Sequence, residues 1–168
     1  MKKIVITGGL GYIGTELCKI YSGYSWNDKI IVIDNRFLSE RVNQLRSWNI
    51  DFIHGDILDK ELIKKYCSDA DIVHHLAGIT NVPRVKSESS ASHDEVINKV
   101  AEEGTQNILD VIPKKCKIIM PSTHVIFEGL ESVKKDLKED ELAKPVLSYG
   151  KSKFLNEKQL KDSGKNYI

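Results

Sequence analysis

Tyr149 and Lys153 stand four residues apart in Tyr149-Gly-Lys-Ser-Lys153. On a helix that spacing puts both side chains on one face. A free phenol titrates near ~10, too high for a base at neutral pH. A neighbouring ammonium stabilises the phenolate and lowers that value. The pair is a candidate general base with its own tuning cation. Two hydroxyls lie upstream, in Pro121-Ser122-Thr123-His124-Val125-Ile126-Phe127, where a Ser-Thr pair by itself reads as a loop start.

A second constellation opens the chain. The β-branched run Ile4-Val5-Ile6 leads into Thr7-Gly8-Gly9-Leu10-Gly11-Tyr12-Ile13-Gly14, and an amphipathic segment follows at once. This is a strand–turn–helix unit of the kind that binds a dinucleotide. One glycine turns with positive φ, one lets the backbone approach a pyrophosphate, and one lets helix pack closely on strand. The N–H groups at the helix start then face the phosphates. About twenty residues on, the next apolar run ends in Asp34-Asn35. An acid there accepts hydrogen bonds from ribose hydroxyls and repels a 2′-phosphate, which favours NAD over NADP. Arg36 follows it, and an arginine at that place accommodates a 2′-phosphate.

Strand and helix patterns alternate along the chain, which predicts βαβ crossovers and a parallel sheet. Strands are expected at 4–6, 29–34, 51–54, 71–75 and 116–120, with a sixth starting at Tyr167. Helices are expected at 12–21, 38–47, 59–66, 92–112 and 148–163. Ile13, Leu17, Ile20 and Tyr21 would form the buried stripe of the first helix. Asp59 is the expected cap of the third helix, Ser92 or His93 starts the fourth, and Gly164 ends the last. The fold class is α/β: a Rossmann-type doubly wound parallel sheet in three α/β/α layers, ending at the start of its sixth strand. Two long loops, 78–91 and 122–147, follow carboxyl ends of strands, where open α/β sheets bind ligands.

Composition narrows the partners. The chain has 168 residues, with 25 Lys and Arg against 24 Asp and Glu, a net charge of +1. No strong field draws it to nucleic acid or an anionic membrane. No long apolar span and no signal peptide are visible. Cys18, Cys67 and Cys116 are odd in number and form no C-x-x-C pair, which reads as reduced thiols in a cytoplasmic protein. The adjacent His74 and His75 point to opposite faces of a strand, so they make no metal site.

These motifs together resemble the extended short-chain dehydrogenase/reductase superfamily, in its branch of NAD-dependent nucleotide-sugar epimerases and dehydratases. The resemblance implies that Asp56 and Ile57, in His54-Gly-Asp-Ile57, flank the adenine. It implies that Leu76, Ala77 and Gly78, in His74-His-Leu-Ala-Gly78, let the cofactor lie against the backbone. Lys153 would also hold the nicotinamide ribose, and Thr123 would bind the reacting oxygen, with Ser122 in its place if the register shifts by one. The chain departs from the family where His124-Val125 replace the Asp-Glu pair of 4,6-dehydratases, and where Ala101 replaces an Asn three residues before Gly104-Thr105. The implied activity is NAD-dependent epimerisation or oxidoreduction of a nucleotide-sugar. The alternative is a non-catalytic dinucleotide-binding module. The family runs to about twice this length, so residues 1–168 are expected to form an incomplete NAD-binding domain, without the C-terminal substrate domain. A homodimer through helices 92–112 and 148–163 is implied as well.

Overall fold

The computed structural model describes residues 1–24, 27–80, 90–131, 136–138 and 140–168. Its strands are β1 (Lys3–Thr7), β2 (Lys29–Asp34), β3 (Asp51–His54), β4 (Ile72–His75), β5 (Lys117–Ile119) and β6 (Asn166–Tyr167). The helices are α1 (Tyr12–Tyr24), α2 (Ser39–Ser47), α3 (Lys60–Cys67), α4 (Ala91–Val111) and α5 (Ser148–Asp162). A 3-10 turn covers His124–Phe127. All strand pairs are parallel, in the order β3-β2-β1-β4-β5-β6. The chain therefore runs outward from β1 to β3, crosses back, and runs outward again from β4. That reversal opens a crevice above the carboxyl ends of β1 and β4.

Strand residues alternate between two cores, as a pleat requires. Ile4, Ile6, Ile30 and Val32 pack with Cys18, Val42 and Leu45, under α1 and α2. Val5, Ile31, Ile33, Val73 and Ile118 pack with Ile63, Ile108 and Leu160, under α3, α4 and α5. The result is the three-layer doubly wound fold that the sequence predicts.

Most element ends move by one to three residues from their expected places. Asp59 caps α3 as expected, its carboxylate accepting from the Leu62 N–H at 3.0 Å. α4 starts earlier than expected, because Ser90 is its cap and accepts from the His93 N–H at 3.4 Å. The stripe on α1 holds at Leu17 and Tyr21, which pack against the core, and is corrected at Ile13 and Ile20. Gly14 and Cys18 are its buried residues, while Ile13 and Ile20 are 59% and 56% exposed. A Cβ on Gly14 would stand 2.6 Å from Gly9 Cα. That close approach turns the small-residue face of α1 to the sheet and swings Ile13 and Ile20 outward.

On α4, Ile97, Ile108 and Leu109 are buried, and Val100 and Val111 pack against the same core. Much of the apolar face of α4 is thus packed inside the chain, while Val96 is 50% exposed.

Candidate active site

The glycine turn is fixed by backbone geometry. Gly8 has φ 71°, and a Cβ there would lie 2.6 Å from Ala77 N. Any side chain would push the first turn off the end of β4. The Gly8 N–H donates to Ile33 O at 2.8 Å, and the Gly11 N–H donates to Gly8 O at 3.0 Å. Leu10, between them, is held by both of its peptide groups. Its N–H donates to Asp34 Oδ2 at 3.0 Å, and its carbonyl accepts from Arg41.

A cleft of about 900 Å³ opens at the carboxyl ends of the strands, a size that suits a small-molecule or cofactor site. Gly8, Gly11, Tyr12, Ile13 and Gly14 line it from the glycine turn. Asp34 and Asn35 line it from β2, Asp56 and Ile57 from beyond β3, and Leu76, Ala77 and Gly78 from beyond β4. Tyr149 and Lys153 line it from α5. Among the sequence-predicted residues, Thr123 is the one the cleft wall does not include. Its Oγ1 accepts from the Val125 N–H at 3.3 Å and caps the 3-10 turn. Ser122 does line the cleft, and its hydroxyl donates to the Glu157 carboxylate.

The polar groups at the β2 and β3 ends are knit together. Asp56 accepts from Asn35 Nδ2 and from the Leu58 N–H, both at 2.9 Å. The Ile57 carbonyl accepts from Asn107 Nδ2 at 3.0 Å. Asp34 is 5% exposed, and its Oδ1 accepts from the Arg36 N–H at 3.0 Å and from Arg36 Nε at 3.3 Å.

Tyr149 and Lys153 are positioned by contacts distant in sequence. α5 has no side-chain cap of its own. Glu128 fills that role, accepting from the Val146 N–H at 2.7 Å and from the Leu147 N–H. A carboxylate at a helix start also meets the positive end of the dipole. One turn into α5, the Lys153 ammonium donates to the Pro121 carbonyl at 3.1 Å. Desolvation pulls its pKa below the ordinary lysine value.

Behind the pair runs a buried polar chain. His75 Nδ1 lies 2.9 Å from Thr7 Oγ1, and its Nε2 lies 3.0 Å from Thr105 Oγ1. Asn156 Nδ2 donates to Thr105 Oγ1 at 2.9 Å and to the Ala101 carbonyl at 2.8 Å. The chain ties β1 and β4 to α4 and α5. Burial, with a smaller push from the Lys153 charge, drives the His75 pKa down to about 3, so the imidazole is neutral.

His74 turns to the other face of the sheet, where Tyr21 Oη sits 2.7 Å from its Nε2. Among the described residues, no three His, Cys, Asp or Glu side chains gather to hold a metal. Cys18, Cys67 and Cys116 are buried and free. Burial raises Cys18 and Cys67 to about 12, so neither is a nucleophile at neutral pH. Among the described residues, no helix is long and apolar enough to cross a membrane.

Several cleft residues are not on the sequence-derived set. Arg41 enters from α2, Val96 and Val100 from α4, and Ile79 and Thr80 from beyond β4. Val96 and Val100, at i and i+4, lie in helix 92–112, for which the family resemblance implies a dimer contact. Arg41 carried no signal, since its partner is a carbonyl 31 residues away.

Known proteins resemble the chain in sequence and fold. A CDP-paratose 2-epimerase of Salmonella typhi is 34% identical over 143 residues, covering 79% of this chain and 40% of that protein. A UDP-glucose 4-epimerase of Haemophilus influenzae is 28% identical over 172 residues, covering 96% of this chain and 48% of its own length. The crystal structure of the Brucella ovis UDP-glucose 4-epimerase in complex with NAD superposes with a TM-score of 0.79 at 26% identity, over 99% of this chain and 50% of that one. The chain thus spans half or less of the length of these relatives. Residues 5–167 match the 3-beta hydroxysteroid dehydrogenase/isomerase family, and the chain belongs to that family, within the extended short-chain dehydrogenase/reductase superfamily.

Proposed function

We propose that this chain binds NAD and supplies the cofactor half of an enzyme that epimerises or oxidises a nucleotide-sugar. One observation carries the reading: Tyr149 and Lys153 share a single cleft with the glycine turn. The residues fit a dinucleotide. A Cβ on Gly11 would press on Gly8 O at 3.1 Å, and its next neighbour is Arg36 Nη2 at 3.9 Å, with no third heavy atom within 4 Å. That vacant wall beside the N–H groups of α1 suits a pyrophosphate. NAD, when bound, supplies the acceptor for a hydride.

The chain's own residues would handle the proton and the oxygen. Tyr149 removes the proton from a sugar hydroxyl. Lys153, its ammonium held by the Pro121 carbonyl, stabilises the phenolate and orients the nicotinamide ribose. Thr123, assigned by register, holds the reacting oxygen once it releases the Val125 N–H. Ser122 is the second reading for that role, favoured by its place on the cleft wall. Relatives named as 2- and 4-epimerases favour an epimerase over a one-way oxidoreductase. A homodimer through α4 and α5 belongs to the same proposal, and light scattering that finds only monomer at micromolar concentration refutes it.

The test is turnover of the whole protein with UDP-glucose and CDP-sugars, in the wild type and in Tyr149→Phe. Tyr149→Phe should lower kcat by ~10² or more, as loss of a positioned base does, while NAD affinity barely moves. The rival reading is a binding module without chemistry, in which the same cleft and glycine turn serve dinucleotide binding alone. NAD binding without turnover on any nucleotide-sugar would establish the rival.

A further inference from the structure

Behind Tyr149 and Lys153 the cleft continues into a second, small cavity of about 30 Å³. Gly78, Thr80, Tyr149 and Lys153 line both spaces. Ala101 from α4 and Ser152 and Asn156 from α5 line only the small one. Ala101 offers it a methyl group, so the polar side chains of that wall come from α5. Lys153 and Asn156 are three residues apart there and are neighbours on the helix surface. Asn156 is 4% exposed. Its Nδ2 meets the Ala101 carbonyl at 2.8 Å, Thr105 Oγ1 at 2.9 Å and Gln159 Oε1 at 3.0 Å. A carbonyl only accepts, which turns the nitrogen toward α4 and leaves Oδ1 as an acceptor. Among the described residues nothing donates to that oxygen, and it is not sealed in the core, so it opens on the cavity.

An ammonium has three N–H donors. Lys153 gives one to the Pro121 carbonyl at 3.1 Å, and its work in the main cleft takes a second. The small cavity has room for a water molecule, which needs two to four polar partners. The partners are the third Lys153 donor, Asn156 Oδ1, and the Ser152 hydroxyl, which donates to the Tyr149 carbonyl at 2.8 Å and keeps its lone pairs. Resting on the reading of Lys153 as the cation that stabilises the Tyr149 phenolate, we propose that Asn156 holds a water molecule against the Lys153 ammonium and so keeps it charged. Asn156 is then a positioning residue, acting on Tyr149 through Lys153. The water solvates an ammonium that desolvation otherwise disfavours. The other ionisable groups around it are engaged or distant. His75 is neutral in its buried chain. Glu157 accepts from Ser122, and Glu128 from the N–H groups of Val146 and Leu147. His124, on the 3-10 turn, is exposed. From α4 the two spaces receive Val96, Ile97, Val100 and Ala101, none of them ionisable.

The test reads Lys153 directly, by NMR titration of the whole protein carrying isotope-labelled lysine, with Lys153→Met assigning the signal. Asn156→Ala should lower the Lys153 midpoint by about half a pH unit or more, the scale of one hydrogen bond to a charged group. Ala101→Val fills the cavity, leaves the bonds of Asn156 in place, and should lower the midpoint by a similar amount. Ala101→Asn in the Asn156→Ala background returns an amide to the wall and should recover most of the shift. A merely structural Asn156 would lower Tm and leave the midpoint where it is, which overturns the proposal. An unmoved midpoint in Ala101→Val overturns it too, and that variant decides alone if Asn156→Ala does not fold. An unmoved midpoint together with an inactive Tyr149→Phe removes the water site and leaves the catalytic reading standing. A lowered midpoint together with a fully active Tyr149→Phe keeps the water site and removes Tyr149 as the base.

Discussion

The two ends of the cleft are built by different means. At the glycine end the fixing contacts are mostly backbone geometry: Gly8 at φ 71°, Gly14 packed on Gly9, and N–H bonds from Gly8 to Ile33 O and from Gly11 to Gly8 O, with the Asp34 and Arg41 side chains added only at Leu10. At the Tyr149 end they are side chains reaching across the sequence. Lys153 holds a carbonyl 32 residues away, and Asn156 holds a threonine 51 residues away. A backbone device has few solutions and leaves a sequence signature. A side-chain device has many solutions and leaves little trace until the chain is folded. The glycine end should therefore fail all at once when altered, and the Tyr149 end should fail by degrees.

The largest expected effects separate two glycines of the same turn. Gly8→Val places a branched side chain at positive φ against Ala77 N. Strain of ~1–3 kcal/mol from the backbone alone, with the clash added, should abolish cooperative folding or lower Tm sharply in thermal melts. Gly11→Val meets one tight neighbour, Gly8 O at 3.1 Å, and has no positive φ to strain, so far-UV circular dichroism should change far less than in Gly8→Val while calorimetry shows NAD binding lost. If Gly11→Val also unfolds, the turn is structural first and the contrast collapses.

At the other end, the two hydroxyls at the end of β5 give the next effect below Tyr149→Phe. Whichever of Thr123→Val and Ser122→Ala costs more in kcat names the group that binds the reacting oxygen. A loss of ~10–100-fold is expected, the scale of one oriented donor. Equal and small losses in both would remove that role from the segment.

The polar chain behind Lys153 predicts a pH effect on stability. The His75 pKa is about 3 in the fold, against ~6.5 when unfolded. Between those values the unfolded chain binds the extra proton, so stability falls as pH falls from about 6.5 toward 3. The slope from this group is at most about 1.4 kcal/mol per pH unit. His75→Gln should flatten the acid limb of a Tm-against-pH curve, and an unchanged limb would assign the acid sensitivity elsewhere.

Legibility in the sequence followed the same division. Strand runs, the Gly8–Gly14 turn, Asp34 and the Tyr149–Lys153 spacing are local patterns, and Gly8, Gly11, Gly14, Asp34, Tyr149 and Lys153 meet in the folded cleft. The stripe on α1 was misread because hydrophobicity puts Ile13 and Ile20 inward, whereas close packing at Gly14 decides the rotation of the helix. On α4 no local pattern separates cleft wall from outer surface, so the place of Val96 and Val100 on the cleft could not be read. Register alone could not say whether Thr123 or Ser122 faces the cleft. Arg41 and Glu128 were invisible because their partners are distant backbone groups, which carry no residue identity to read.

Glu128 supplies the smallest effect and the finest test of the comparison. Its carboxylate takes the place of a cap for α5 by accepting the Val146 and Leu147 N–H groups. Glu128→Ala leaves those donors to water and should cost about 1 kcal/mol, the usual loss on removing a cap. Glu128→Gln keeps an acceptor but not the charge, and should cost about half as much, the share owed to the helix dipole. Denaturant melts measure both. Tyr149 is the second residue of α5, so fraying of that first turn should lower kcat several-fold in Glu128→Ala. The glycine end is built independently, and NAD affinity should stay within twofold. A loss of NAD affinity as large as the loss of kcat would show that the two ends are coupled through α5, and that the cleft fails as one unit.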